Sequence, residues 1–143
     1  MVEAKFMARR NVITATLDTK IVDIAELMVK NRVGLIVLVD EKESSRVRGV
    51  VSERDIVRSV MNRISVDEKV EKIATKDVIT SEIHETIVEV VKKMVEYKIR
   101  HIVVLEDGKL YGIISMRDII SERNALSTLL SAEVWSVDEG MTA

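Results

Sequence analysis

Two kinds of hydrophobic spacing alternate along the chain, and the alternation occurs twice in the same order. Ile21, Ile24, Ala25 and Met28 recur at i, i+3, i+4 and i+7, the spacing that lines one face of an α-helix. Ile87, Val90, Val91 and Met94 repeat it. Each helix is followed by a nearly unbroken apolar run, residues 35–39 and 102–105, the signature of a strand covered on both faces. A polar turn and a second strand come next (47–51 and 110–114), which makes a hairpin. In the second hairpin the turn reads Glu-Asp-Gly-Lys, and Gly108 supplies the positive φ that such turns favour. A short apolar lead-in, Val12-Ile13 or Val78-Ile79, precedes each first helix, and a further helix begins at Ser52 or Ser115. The predicted order is β-α-β-β-α, twice.

The two halves align residue by residue. Residues 11–14 (NVIT) fall on 77–80 (DVIT), 21–29 on 87–95, 35–40 on 101–106, and 49–57 (GVVSERDIV) on 112–120 (GIISMRDII). The match extends upstream, with Met7-Ala8 over Ile73-Ala74, and its one length difference lies in the first hairpin turn. Such self-similarity marks two copies of one supersecondary unit. A copy of roughly 50 residues buries too little surface to stand alone. The expectation is therefore an α/β (α+β) protein: two repeats, 5–62 and 70–123, packed sheet against sheet about a pseudo-twofold axis. A tail, 124–143, follows, in which Leu126, Leu129, Leu130 and Trp135 suggest a short docking helix and the last residues fray.

Composition narrows the function classes. The net charge of −2 gives no bulk attraction to nucleic acid or to an anionic membrane. Four aromatic residues are too few for base-stacking platforms. The absence of cysteine excludes thiolate metal sites and thiol nucleophiles, and two histidines do not make a zinc centre. No apolar stretch approaches the ~20 residues that span a bilayer, and residues 1–10 hold no signal-like apolar core, so a soluble cytoplasmic protein is expected. No carboxylate dyad, P-loop or G-x-S-x-G is present, and the chain reads as a non-enzyme. There is also no proline, where average usage implies roughly seven.

The segments Ser52-Glu53-Arg54-Asp55 and Ser115-Met116-Arg117-Asp118 carry the candidate chemistry. A serine at a helix N-cap with a carboxylate three residues on is close to a capping box, and that role needs no ligand. The same helix N-terminus suits a phosphate, and a carboxylate one turn in can accept both hydrogen bonds of a ribose diol.

The duplicated β-α-β-β-α unit and the twice-occurring G-[VI]-[VI]-S-x-R-D-I resemble a tandem pair of CBS domains, a Bateman module, over about residues 5–123. The resemblance implies that each cleft joins the S-x-x-D of one copy to the lead-in and first long strand of the other. Asp55 and Ser52 would face Thr80, Ile99, Arg100 and His101. Asp118 and Ser115 would face Thr14, Val33, Gly34 and Leu35. It implies adenosine-type nucleotides (AMP, ADP, ATP or S-adenosylmethionine) as regulatory ligands, no cofactor or metal, a homodimer, and a regulated partner protein of unknown identity. Arg100 and His101 give the Asp55 cleft a fixed and a titratable cation that Gly34-Leu35 does not supply to the other, so the Asp55 cleft is expected to be the tighter and to tolerate more phosphates, and the Asp118 cleft to be weaker, empty, or served by Arg54 or Arg117. Apolar helix residues outside the buried stripes (Leu27, Val57, Val95, Ile120) suit the dimer. Competing readings are a ligand-independent interaction scaffold and, more weakly, a nucleic-acid-associated regulator. Family members often carry proline just before the first helix and within the first long strand. Here those positions are Leu17 and Ile83, then Val37 and Val103, whose amides stay available as donors.

Overall fold

The computed structural model describes residues 2–121; the expected docking helix of the tail lies outside them. Copy one comprises strand β1 (Thr14–Ala15), helix α2 (Ile21–Asn31), β2 (Leu35–Val39), β3 (Val47–Ser52) and α3 (Glu53–Met61). Copy two comprises β4 (Thr80–Glu82), α4 (Ile87–Tyr97), β5 (His101–Glu106), β6 (Lys109–Ser115) and α5 (Met116–Ser121). Short leader segments precede both, with α1 at Ala4–Met7 and a 3-10 turn at Val70–Lys72. The lead-in strands begin one or two residues later than the apolar pairs at 12–13 and 78–79, because backbone pairing with the next strand, not side-chain burial, sets them.

Each copy builds one three-stranded sheet, β1-β2-β3 or β4-β5-β6. The first strand runs parallel to the second, and the second antiparallel to the third. In the second hairpin Asp107 and Gly108 both take positive φ, as a two-residue primed turn requires.

The central strands explain why two copies are needed. Ile36 and Leu38 point to the helix side of their sheet and pack with Ile24, Met28 and Val51. Ile102 and Val104 do the same with Val90, Met94 and Ile114. The alternate residues, Val37, Val39 and Val103, point the other way and form a third core with Val12, Val50, Val78 and Ile113. That third core is the face where the two sheets meet.

The leaders cross over. Ala4, fully buried, belongs to the core of copy two, and Val70, fully buried, belongs to the core of copy one. Backbone bonds repeat the exchange in both directions. Ala4 N–H donates to Glu85 and Lys5 to Ile83, as Val70 donates to Thr19 and Glu71 to Leu17. Arg9 exchanges two bonds with Ile113, as Thr75 does with Val50. The glycine that opens each G-[VI]-[VI]-S lies under this crossing strand. A Cβ at Gly112 would sit 2.5 Å from the Arg9 carbonyl oxygen, and one at Gly49 2.9 Å from that of Thr75. Both glycines are dictated by close backbone approach, a different reason from that of Gly108.

Two of the four proline-free positions also show their use. Val37 N–H donates to Ile13 and Ile83 N–H to Leu105, bonds a proline would lose. Leu27 is not spare helix surface: it packs on the first core. Val57, Val95 and Ile120 stay exposed. No helix among the described residues is long and apolar enough to cross a membrane.

The crossing makes a specific demand. Val70→Ala, a change in the leader of copy two, is expected to cost about 2 kcal/mol through loss of packing in copy one, lowering the urea midpoint while unfolding stays a single transition. An unchanged midpoint would mean that the leader adds nothing to that core.

Candidate functional site

Strand β3 runs directly into α3 at Ser52, whose extended backbone makes it the N-cap. Its hydroxyl accepts from Asp55 N–H (3.2 Å) and also donates to Asp55 Oδ2 (3.0 Å), and its own N–H donates to that oxygen (2.8 Å). Ser115 and Asp118 repeat the box: Asp118 N–H donates to the Ser115 hydroxyl (3.0 Å), and Ser115 N–H to Asp118 Oδ2 (3.2 Å). Capping is therefore real in both copies, and it engages Oδ2 alone. What differs is the partner of Oδ1.

At Asp55 that partner is Arg58 of the same helix, at 3.5 Å, the outer limit of a hydrogen bond. Beside it opens a cavity of about 590 Å³ along the seam between the copies. Copy one contributes Ser52, Asp55, Arg54 and Arg58, with Gly34, Leu35 and Val50 at the seam. The crossing segment adds Thr75, Asp77, Val78 and Ile79, and copy two adds Lys98, Ile99, Arg100 and His101. The last group is aimed by Lys98, which takes a left-handed conformation at the end of α4 and turns the chain back toward the seam.

Five of the six residues expected around Asp55 thus line one cavity: Ser52, Asp55, Ile99, Arg100 and His101. Thr80 does not. Its carbonyl accepts from Lys93 Nζ (2.7 Å), which also reaches Ser81 Oγ (3.2 Å) and Glu85 Oε1 (2.6 Å). Lys93 aligns with the core-packed Leu27, and a lysine at that helix position was the signal for this clamp.

The expected partners of the other cleft are dispersed. Gly34 and Leu35 line the Asp55 cavity, because β2 starts at the seam. Thr14 is exposed in β1 and Val33 packs on the first core. Ser115 and Asp118 do not line the cavity. Instead Arg9 Nη2 donates to Asp118 Oδ1 at 2.5 Å. Neither Arg54, which lines the Asp55 cavity, nor Arg117 takes that place. Arg10 is also fixed, its Nε donating to the Tyr111 carbonyl (2.7 Å) and its guanidinium 3.7 Å from the ring centre. Arg9 aligns with Thr75, and that mismatch was the sequence signal for this ion pair.

Burial alone would raise the Asp118 pKa. The Ser115 hydroxyl and amide, together with Arg9, outweigh it and hold the carboxyl below its usual 3.8. Burial pushes His101 below its usual 6.5. Asp118 and Glu53 oppose that shift, and Arg100 adds to it. Among the described residues, no cluster of three or more histidines and carboxylates could hold a metal ion.

The cavity unites apolar walls, the carboxylates of Glu53, Asp55 and Asp77, and the cations of Arg54, Arg58, Lys98 and Arg100, at the junction of two copies of one unit. A family model for the CBS domain matches residues 3–62 and again 70–125. The chain belongs to the CBS domain family. Among solved CBS structures, the CBS domain protein of Pyrobaculum aerophilum complexed with AMP is 34% identical, covering 92% of this chain and 100% of that one, with a TM-score of 0.83. An uncharacterized conserved protein of Pyrococcus horikoshii is 28% identical over 85% of this chain and 93% of its own, with a TM-score of 0.79. A sequence relative, an uncharacterized protein of Methanopyrus kandleri, is 35% identical over 93% of this chain and 68% of its own length.

His101 gives this CBS pair a pH signature. The unfolded chain takes up a proton near pH 6.5, while the folded chain resists until its lowered pKa is reached. Within that window the unfolded state binds more protons, so stability present above 6.5 is lost as the pH falls. Melting temperature is expected to drop between pH 7.5 and 5, with His101→Gln flattening the drop. A slope unchanged by this substitution would assign the dependence to other groups.

Proposed function

We propose that this CBS pair is a regulatory, non-catalytic module whose Asp55 cleft binds an adenosine-type nucleotide and relays occupancy to a partner protein. The single observation that carries the reading is the pairing of Asp55 Oδ1 with an apolar-walled, cation-rimmed cavity built from both copies. The full-length likeness to a protein complexed with AMP supports it.

In this reading the Asp55 carboxylate accepts from the ribose hydroxyls in place of Arg58. Ile99, Val78 and Ile79 flank the base, while nearby backbone groups read its edge. Arg100, His101 and Lys98 face the phosphates, charge-assisted contacts that also favour the protonated imidazole. Because the cavity draws on both copies, a ligand that fits one arrangement of them better shifts the molecule toward it, and a partner reads that shift.

Val29, Val57, Val60 and Met61 on α2 and α3, with Val95 and Ile120 on α4 and α5, leave apolar helix surface exposed. A homodimer through these helices covers it; light scattering is expected to give twice the chain mass at micromolar concentration, and a monomer there would rule this assembly out.

One observation favours a second reading. Both capping boxes are complete without a ligand, so a ligand-independent scaffold remains the alternative. Titration calorimetry with AMP separates the two. Wild-type chain is expected to bind, and Asp55→Ala to bind about 10- to 100-fold more weakly through loss of charge-assisted hydrogen bonds. Equal affinities place the nucleotide away from Asp55 and overturn that assignment; no heat from either protein favours the scaffold.

A further inference from the structure

The two copies act as controls for each other at one point. Arg9 and Thr75 hold equivalent places in the two crossing segments, each exchanging two backbone bonds with the third strand of the opposite sheet. Thr75 lines the open cavity beside Asp55. Arg9 reaches into the equivalent position beside Asp118 and takes Oδ1, while the cap takes Oδ2, so both oxygens of Asp118 are committed. Lys76, the counterpart of Arg10, turns away to Glu71 (3.1 Å) and leaves the Asp55 side clear.

We propose that the Arg9 guanidinium is a built-in occupant of the Asp118 cleft: it holds the carboxylate oxygen that a ribose hydroxyl takes at Asp55, so nucleotide fills the Asp55 cleft first and binds the second only by displacing Arg9. The proposal rests on the nucleotide reading above. The contact is buried at one end and exposed at the other. The Asp118 side chain is 11% exposed, so its ionised carboxyl needs a donor, whereas that of Arg9 is 64% exposed. The side chain can therefore swing into solvent while its backbone, pinned against Ile113 and Gly112, stays in place. Arg10, stacked on Tyr111, is not free to replace it. Arg9 thereby ranks the clefts in the same direction as the cation of Arg100, but by competition instead of attraction.

The test is calorimetric titration of the full chain with AMP, comparing wild type, Arg9→Thr (which copies Thr75) and Arg9→Thr combined with Asp118→Asn. Wild type is expected to show one strong event and a second about tenfold or more weaker. Arg9→Thr is expected to strengthen the second event by about tenfold, and adding Asp118→Asn to abolish it while sparing the first. Arg9→Lys, which keeps the charge but not the fork, is expected to fall between wild type and Arg9→Thr, and circular dichroism checks that each variant is folded. A second event unchanged in Arg9→Thr overturns the proposal. A weakened one also overturns it, by making Arg9 a phosphate contact. If only Arg9→Thr binds AMP, the occupant role stands and the Asp55 assignment fails. If no protein binds, both fall.

Discussion

The constraint from which the rest of the structure follows is that strands β2 and β5 are apolar on both faces. A helix covers one face of each strand, but Val37, Val39 and Val103 face the other way and are nearly removed from solvent. Only a second sheet of the same kind can cover them, and burial of this size is what a lone copy of roughly 50 residues lacks. The pseudo-twofold axis, the seam and the cavity all follow from that pairing. The crossed leaders then lock it, since each copy contributes a fully buried side chain, Ala4 or Val70, to the core of the other. Arrangement of the copies is thus part of folding, and the cavity at their junction is built by it.

Much of this was legible in the residues because a 3.6-residue apolar stripe and an unbroken apolar run have distinct geometric causes. Helix stripes, the doubly covered strands and the Gly108 turn all appear where spacing and turn chemistry put them. The crossover was not legible. An alignment of repeats says that Val70 corresponds to Ala4, but not which core either one enters, since that depends on the path of backbone through space. Leu27 and Val57 illustrate the same limit: both are apolar helix residues, yet one packs on the core and the other is exposed. At the site, Ser52, Asp55, Ile99, Arg100 and His101 could be grouped in advance because a motif and a resemblance carried them. Thr80 and Arg9 depended on side chains that differ between the copies. Lys93 replaces a leucine and captures the Thr80 carbonyl; Arg9 replaces a threonine and captures Asp118. Departures from the internal repeat, more than the repeat itself, mark where the copies have separate chemistry.

A single local device therefore has two outcomes. Both S-x-x-D segments cap a helix with one carboxylate oxygen, and what becomes of the other oxygen distinguishes an accessible acceptor from a satisfied one. The cap engages Oδ2 of Asp55 and leaves Oδ1 with a 3.5 Å contact to Arg58 beside the cavity. The missing prolines fit the same picture of a tightly bonded frame: the amides of Val37 and Ile83 each donate to a neighbouring strand or its extension.

The most direct test of the central claim, a nucleotide seated in the Asp55 cleft, is methyl NMR of the isoleucine- and valine-labelled chain titrated with AMP. The expected result is shifts concentrated at Val50, Val78, Ile79 and Ile99, which line the cavity, with Ile24 and Val90 in the helix-side cores little changed. Shifts confined to the exposed valines of the helices, or a spectrum unchanged at saturating AMP, would contradict it.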